Sequence, residues 1–330
     1  MLGWLVRRVA IALVTAWAIS LLSFIIIQLP PGDYIDAYIA NLQAQGTSVT
    51  ASEAESIRIQ YGLDEHVMVQ YVKWVGLILR GNFGVSFEFQ RPVSEVIGDR
   101  LTLTIVISLV ALVFTWILAI PIGIYSAVRQ YSLGDYFFTF FGFMGLAIPG
   151  FLLALVLMYL GFVLFGANIG GLFSSEMQSA PWSLAKVWDL AQHLPLPAVV
   201  LGLAGTATLI RVMRANLLDE MRKPYVVTAR AKGLTNARVI MKYPVRVALN
   251  PFASSIPFIL REIVGGSIIV SIVLSLPTVG PILLKALIAQ DPFLAGTIIL
   301  MLGIITVVGT LISDILLVIL DPRIRFEARG

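Results

Sequence analysis

The sequence predicts an all-α polytopic membrane protein with six transmembrane helices. Its composition is 58% hydrophobic and only 13% charged, whereas soluble domains have about 45–50% apolar and about 25% charged residues. The apolar residues are gathered in blocks long enough for a helix to cross ~30 Å of hydrocarbon. Lys and Arg concentrate in alternate connecting segments, while the two short external loops carry only Lys186 and Lys285. This asymmetry predicts that both termini are cytosolic.

Six spans and their connections follow from this pattern. In chain order we predict a cytosolic tail (1–8), the first span (9–29), an external cap (30–100), the second span (101–128), the third span (136–165), an external loop (166–195), the fourth span (196–217), a cytosolic loop (218–251), the fifth span (252–276), an external turn (277–293), the sixth span (294–320) and a cytosolic tail (321–330).

Local features support several of these segments. A cleaved signal peptide is the alternative for the first span, but Pro30-Pro31 stands where a small-x-small cleavage site belongs. Pro149-Gly150 breaks the third span, which neighbouring helices can tolerate. In the cap, residues 52–61 and 67–80 are predicted to form short amphipathic helices. Trp182 and Trp188 suit the aromatic belt at a membrane surface.

The cytosolic loop contains a basic stretch that is predicted to fold as helix–Gly–helix. Pro224 suits the first turn of a helix, and Gly233 suits a left-handed cap. Thr235 is expected to cap a second helix over Asn236–Tyr243. In that helix Arg238, Lys242 and Arg246 recur every fourth residue as a basic stripe beside Val239 and Tyr243. Such a loop either docks on another protein or is simply a solvated positive-inside loop.

Five charged residues fall inside predicted spans, where charge is costly: Arg211 and Arg214 mark the inner end of the fourth span, whereas Arg261, Glu262 and Asp314 need another explanation. Adjacent residues on a helix point about 100° apart, so Arg261 and Glu262 cannot face the same way. We expect Glu262 to face a translocation path or gate and Arg261 to pair with a neighbouring helix, unless the fifth span begins later and both lie near the interface. Asp314 is expected to serve helix packing. The serines expected on the path with Glu262 are Ser255, Ser267 and Ser271.

Several catalytic motifs are missing from the sequence. It has no G-x-x-x-x-G-K-[ST] loop for ATP, no H-E-x-x-H zinc motif, no G-x-S-x-G elbow and no Cys. The chain is therefore predicted not to be an enzyme and to hold no cofactor or metal of its own. The absence of an internal repeat counts against a stand-alone secondary transporter or channel, which remains the alternative class.

Several blocks of the sequence resemble one family of membrane proteins. Thr228-Ala229-Arg230-Ala231-Lys232-Gly233-Leu234 resembles the EAA loop of ABC-importer permeases, in the dipeptide/oligopeptide/nickel family and its first-permease branch. Val227 stands where the general loop has Glu. Matching blocks elsewhere are Pro31-Gly32-Asp33, Tyr61-Gly62-Leu63-Asp64, Gly81-Asn82-Phe83-Gly84-Val85-Ser86, Ala147-Ile148-Pro149-Gly150-Phe151 and Asp321-Pro322-Arg323-Ile324-Arg325.

The resemblance implies a type I ABC-importer permease fold in the bacterial inner membrane, working by alternating access. It implies a homologous second permease, two ATP-binding subunits that hold ATP and Mg, an extracytoplasmic binding protein, and no nucleic acid. It assigns ATPase coupling to Thr228, Ala229, Arg230, Ala231, Lys232, Gly233, Leu234, Thr235, Arg238 and Lys242. Cap docking of the binding protein would involve Tyr61, Asp64, Tyr71, Trp74, Gly81 and Gly84.

Departures from the family pattern leave the class of solute open. Ser271 stands where many peptide permeases have Glu, and Gln290 replaces a common Arg before Asp291. The resemblance therefore allows a peptide-like solute, an oligosaccharide or an opine-like compound.

Overall fold

A computed structural model describes residues 2–28, 65–86, 88–166, 170–262, 268–289 and 291–321. These residues form fourteen helices and one two-stranded antiparallel hairpin. The elements are α1 (Leu2–Gln28), α2 (Val67–Leu79), β1 (Val85–Ser86), β2 (Arg91–Pro92), α3 (Val93–Val128), α4 (Leu133–Ala147), α5 (Gly150–Phe165), α6 (Leu184–His193), α7 (Pro195–Met221), α8 (Pro224–Ala231), α9 (Asn236–Lys242), α10 (Pro244–Ala248), α11 (Asn250–Arg261), α12 (Ile268–Val273), α13 (Val279–Ile288) and α14 (Pro292–Leu320).

Four of the described helices are long and apolar enough to cross a membrane, namely α1, α3, α7 and α14. The helices α4 and α5 form a fifth candidate that is bent by 104° at the break before Gly150. The all-α polytopic membrane fold is thus confirmed, while the count of six stays a prediction. The fifth predicted span contains α11 and α12, and residues 263–267 between them lie outside the described residues.

The described chain divides into two compact units, of which the larger comprises Met1–Ala10, Leu103–Pro277 and Thr306–Gly330. One of its cores surrounds Met213 and Leu217 of α7, which are fully buried among side chains of α3, α9, α10 and α11. Close approach of α3 and α7 depends on Gly202, since a Cβ there would lie 2.8 Å from Phe114. The Thr115 hydroxyl donates to the Gly202 carbonyl at 3.2 Å across the same contact.

The second unit comprises Ile11–Thr102 and Thr278–Ile305. Its main core joins the start of α3, including Val93 and Ile97, to apolar side chains of α13 and α14. A smaller cluster packs α2 on α1, with the Phe24 ring 5.4 Å from the Tyr71 ring. The hydroxyls of Ser20 and Tyr71 lie 2.7 Å apart at this contact.

Some helix boundaries differ from the sequence-based predictions. The helix that contains the second predicted span begins at Val93 instead of 101. Its first turn carries apolar side chains that are buried in the second unit, and the helix is then interrupted at Gly98. The predicted external turn contains the ten-residue helix α13, whose residues Val279 and Ile282 are buried. The predicted cap helix over 67–80 corresponds to α2, whereas residues 52–61 lie outside the described residues.

The basic stripe in the cytosolic loop is also corrected. The helix α9 ends at Lys242, and α10 starts at Pro244. Proline has no N–H to donate and disfavours helical geometry at the preceding residue, which explains the break. Arg246 therefore lies on a different helix from Arg238 and Lys242, and the three do not form one stripe.

Candidate functional site

The basic loop is a compact helix–turn–helix formed by α8 and α9. Gly233 adopts a φ of +79° between them, as expected for a left-handed cap. Val226 and Val239, both fully buried, pack with Ala229 to join the two helices. Thr235 occupies the N-cap position of α9 with extended backbone, although its side chain makes no capping hydrogen bond.

The predicted coupling residues separate into two groups by exposure. Ala229 is buried and Leu234 is half-buried, and both belong to the small core between the helices. The other predicted residues are exposed, as are the apolar side chains of Val227 and Met241. The exposed members of the prediction are Thr228, Arg230, Ala231, Lys232, Gly233, Thr235, Arg238 and Lys242. The loop thus presents a mixed basic and apolar surface on a folded support.

The loop is braced against three longer helices of the same unit. Ile240 of α9 and Val245 of α10 are buried in the core that contains α7 and α11. Arg246 donates from Nε to the Leu320 carbonyl at 3.0 Å and from Nη2 to the Ile319 carbonyl at 2.9 Å. Helix C-termini leave their last carbonyls without partners inside the helix, so Arg246 caps α14. A displacement of this loop would consequently be passed to α7, α11 and α14.

A cavity of about 520 Å³ lies in the larger unit, between α3, α4, α5, α7, α11 and α12. Its wall is mostly apolar, with polar side chains contributed by Thr115, Thr208, Ser255 and Glu262. Glu262 is the ionisable residue among those that the structure places on this wall. The cavity has the size and the mixed lining of a small-molecule site.

The residues predicted for the translocation path are distributed differently. Ser255 and Glu262 both line the cavity, although the Ser255 hydroxyl also donates to the Phe252 carbonyl at 2.8 Å. Ser271 is buried, and it is not among the residues that line the cavity. Ser267 lies outside the described residues. The structure therefore brings two of the four predicted residues together.

Asp314 and Arg261, the two residues predicted to pair helices, make different kinds of contact. The carboxylate of Asp314 on α14 lies 2.9 Å from the guanidinium of Arg8 on α1. The Arg261 guanidinium instead lies over the ring of Phe258, a residue of its own helix, with its carbon 5.5 Å from the ring centroid. Arg261 is exposed in the described chain. The described contacts therefore do not show Arg261 paired with a neighbouring helix.

The predicted docking residues of the cap are mainly structural. Tyr71 and Trp74 are 9% and 7% exposed and pack against Phe24 of α1, so these side chains position α2 instead of offering a surface. Gly84 has a φ of +81°, and a Cβ there would lie 3.0 Å from the Phe293 ring. Gly81 is exposed in a turn with a φ of +77°. Tyr61 and Asp64 lie outside the described residues.

Sequence reasoning missed three polar contacts. Asp135 is buried and accepts from Nη2 of Arg214 at 3.0 Å. Asp291 and Arg246 hold neighbouring elements in place. A sequence pattern can indicate a contact between residues that are three or four positions apart in a helix. The partners in these contacts are 74 to 205 residues apart, so no local pattern indicates them. The described residues also contain no group of three or more His, Cys, Asp or Glu placed to hold a metal ion.

Comparison with known proteins defines the class of this chain. The family model "Binding-protein-dependent transport system inner membrane component" matches residues 119–326. The N-terminal model of the same transport systems matches residues 1–109. The fold and these matches define a multi-pass inner-membrane transport protein rather than an enzyme. The chain belongs to the family of binding-protein-dependent ABC permeases.

The relatives that match this chain over its full length include proteins named as peptide permeases. It is 33% identical over 327 residues to the oligopeptide transport system permease protein AppB of Bacillus subtilis, covering 99% of this chain and 100% of the relative. It is 34% identical to a putative peptide permease of Brucella ovis, covering 98% and 99% of the two chains. It is 31% identical to the inner membrane ABC transporter permease YejB of Escherichia coli O157:H7, covering 99% and 100%. Membership of this family implies ATPase and binding-protein partners in general.

Proposed function

We propose that this chain is one of two membrane subunits of an ATP-driven importer that receives its solute from an extracytoplasmic binding protein. The observation that carries the proposal is the folded basic loop, which is exposed on one side and braced on the other against α7, α11 and α14. An ATP-binding subunit that seats on the exposed side can move three helices at once. The sequence contains no phosphate-binding loop of its own.

The exposed side of α8 and α9 has the chemistry of a protein-docking surface. Val227 and Met241 supply exposed apolar area, and Arg230, Arg238 and Lys242 supply exposed positive charge on the same two helices. Specific interfaces combine apolar contact area with polar groups that stay partly exposed to water. We assign this surface to the ATP-binding subunits, and with the six spans that we propose, both chain termini would lie on the same cytosolic side as the loop.

The cavity beside Glu262 is proposed to form part of the solute path. Ionisable residues within membrane-spanning segments usually face a cavity and mark the path of a substrate, and Glu262 lines this cavity together with Ser255. A carboxylate in a mostly apolar wall would attract the protonated amino group of a peptide. The names of the relatives also favour a peptide-like solute. An oligosaccharide, which carries no such charge, would rely on the hydroxyls of the same wall.

The path proposal is tested with Glu262→Gln in the complete transporter in liposomes. We expect lower peptide uptake and weaker stimulation of ATP hydrolysis by the loaded binding protein, because the charge is lost while the shape is kept. Glu176→Gln, the same change at an exposed loop position, is the matched control and should behave as the unmodified chain. Unchanged uptake and unchanged stimulation in Glu262→Gln would remove Glu262 from the path.

A further inference from the structure

The short helix α6 has its polar and apolar faces reversed relative to a helix on a water-soluble surface. Leu184, Val187 and Trp188 are 90%, 50% and 67% exposed, and they share one face at spacings of three and four residues. On the opposite face Lys186 is 6% exposed, and Leu190 is buried beside it. The outward face is therefore apolar, and the charged side chain points into the protein.

Specific contacts hold this reversed orientation. The Lys186 ammonium donates to the Ala180 carbonyl at 2.6 Å and lies 5.0 Å from the centroid of the Phe173 ring. The Asp189 carboxylate accepts from the Ser174 N–H at 2.8 Å. The preceding loop is thus tied to the inner face of α6. Because Lys186 and Asp189 are engaged there, rotation of α6 to expose them would break these contacts.

The position of α6 along the chain places it at a membrane surface. It ends at His193, and α7 begins at Pro195, so that only Leu194 separates the two helices. The Leu194 N–H donates to the Leu190 carbonyl, and the Ala198 N–H donates to the Leu194 carbonyl. The connection between α6 and α7 is therefore hydrogen-bonded on both sides. Since α7 is one of the helices able to cross the membrane, α6 lies where that span leaves the hydrocarbon.

We propose that the outward face of α6 inserts into the lipid bilayer at the boundary between headgroups and acyl chains. Helices with one apolar face lie in this zone, buried by roughly 5–10 Å. Trp prefers the same depth because its ring is apolar and its N–H needs a polar partner. The outward face carries no charge, and its hydrogen-bond donors are the Trp188 indole and, at its edge, the exposed Gln192 amide, a composition that suits the boundary between headgroups and acyl chains. The helix would anchor the end of α7 and fix its depth.

Site-directed spin labelling tests this insertion in the complete transporter in liposomes of neutral and anionic phospholipid. The chain contains no Cys, so Leu184→Cys, Val187→Cys and Trp188→Cys each introduce the single label site of this chain, which is labelled before assembly with its partner subunits. We expect these labels to be several-fold more accessible to dissolved oxygen than to a water-soluble nickel chelate. Glu176→Cys, in the preceding loop, is the aqueous control and should show the reverse preference.

Two results would overturn the proposal. Access to the nickel chelate at all three sites, equal to that at Glu176, would place α6 in water. Protection from both reagents would show that another protein subunit covers the face. Ala191→Cys lies on the same outward face and changes little volume, so it supplies the measurement if a larger substitution prevents folding.

Discussion

Gly233 is the residue on which the shape of the basic loop depends. Its φ is +79°, and a Cβ added there would meet nothing within 4 Å. The obstacle to a side chain is therefore the backbone conformation alone, which costs ordinary residues about 1–2 kcal/mol and β-branched residues more. Asn tolerates this conformation far better than Val. The position thus offers a test of loop geometry without a steric clash.

We expect Gly233→Val to reduce uptake per ATP hydrolysed while leaving membrane insertion intact. The strained turn would tilt α9 against α8 and misplace the exposed face. Gly233→Asn, which accepts a positive φ, should retain most of the coupling. Simultaneous measurement of ATP hydrolysis and uptake in liposomes checks both variants. Equal coupling in the two would show that the turn geometry does not matter.

Asp291 is a second residue whose contacts join different elements of the fold. Its buried carboxylate accepts from the Ser86 hydroxyl at 2.5 Å, from the Glu88 N–H at 3.1 Å and from the Leu294 N–H at 3.0 Å. It therefore fixes the hairpin of β1 and β2 to the first turn of α14, where a negative charge is also favourable.

Replacement of Asp291 by Ala should lower the free energy of unfolding by roughly 2–4 kcal/mol. The reason is that a charged acceptor is lost and its three donors are left without this partner. Ser86→Ala removes one donor to this carboxylate and the acceptor of the Phe89 N–H, and it leaves the other two donors in place, so its cost should be smaller, about 1–2 kcal/mol. Thermal unfolding of the purified transporter in detergent compares the two. A larger loss in Ser86→Ala would contradict the assigned contacts.

At the scale of elements, Arg246 connects the basic loop to the end of α14. Its two donors reach the last two carbonyls of that helix, which also carry the negative end of the helix dipole. Planar two-point donation is a property of Arg that Lys lacks. The contact couples α10 to α14 through the side chain of one exposed residue.

We expect Arg246→Lys to keep part of the coupling and Arg246→Ala to lose more, with similar amounts of protein in the membrane. The reason is that Lys preserves the charge at the helix end without the paired hydrogen bonds. Uptake per ATP hydrolysed is the measurement. If Arg246→Ala couples as well as the unmodified chain, movement of the loop reaches the spans through α7 and α11 alone.

The pair of Arg8 and Asp314 is another connection between elements, joining α1 to α14. The side chains are 39% and 13% exposed, so the pair is intermediate between a surface and a buried ion pair. Loss of one partner should then cost roughly 1–2 kcal/mol. We expect Arg8→Ala to lower the thermal stability of the purified transporter more than Arg7→Ala, which removes the same charge one position earlier. Equal losses would show that net charge, and not the pair, matters.

At the scale of the whole molecule, the sequence predicted the fold class, the family and the helix–Gly–helix loop. The fold class follows from long apolar blocks, and the loop follows from Pro224 in the first turn of α8 and Gly233 after that helix. The family follows from the resemblance of short sequence blocks such as Thr228–Leu234. It predicted the break at Pro149-Gly150 but not the 104° angle between α4 and α5, and it did not predict the helix α13. The bend angle is set by packing on neighbouring helices, and α13 is stabilised by burial against residues far away in the sequence.

Only part of the candidate site could be predicted from the sequence, as was true of the fold. Ser255 and Glu262 were expected on one cavity because they are polar residues within an apolar stretch. The buried positions of Tyr71, Trp74 and Ser271 were not expected. An aromatic or hydroxyl side chain can pack inward or face a partner, and the sequence pattern alone does not distinguish these orientations.

The central claim is that this chain moves solute only with energy delivered through its basic loop. The most direct measurement is solute uptake into liposomes that contain the chain and its second permease, with and without the ATP-binding subunits, in the presence of the loaded binding protein. We predict uptake only when the ATP-binding subunits and hydrolysable ATP are both present. Uptake by the membrane subunits alone, driven by an ion gradient or by the solute gradient, would contradict the account.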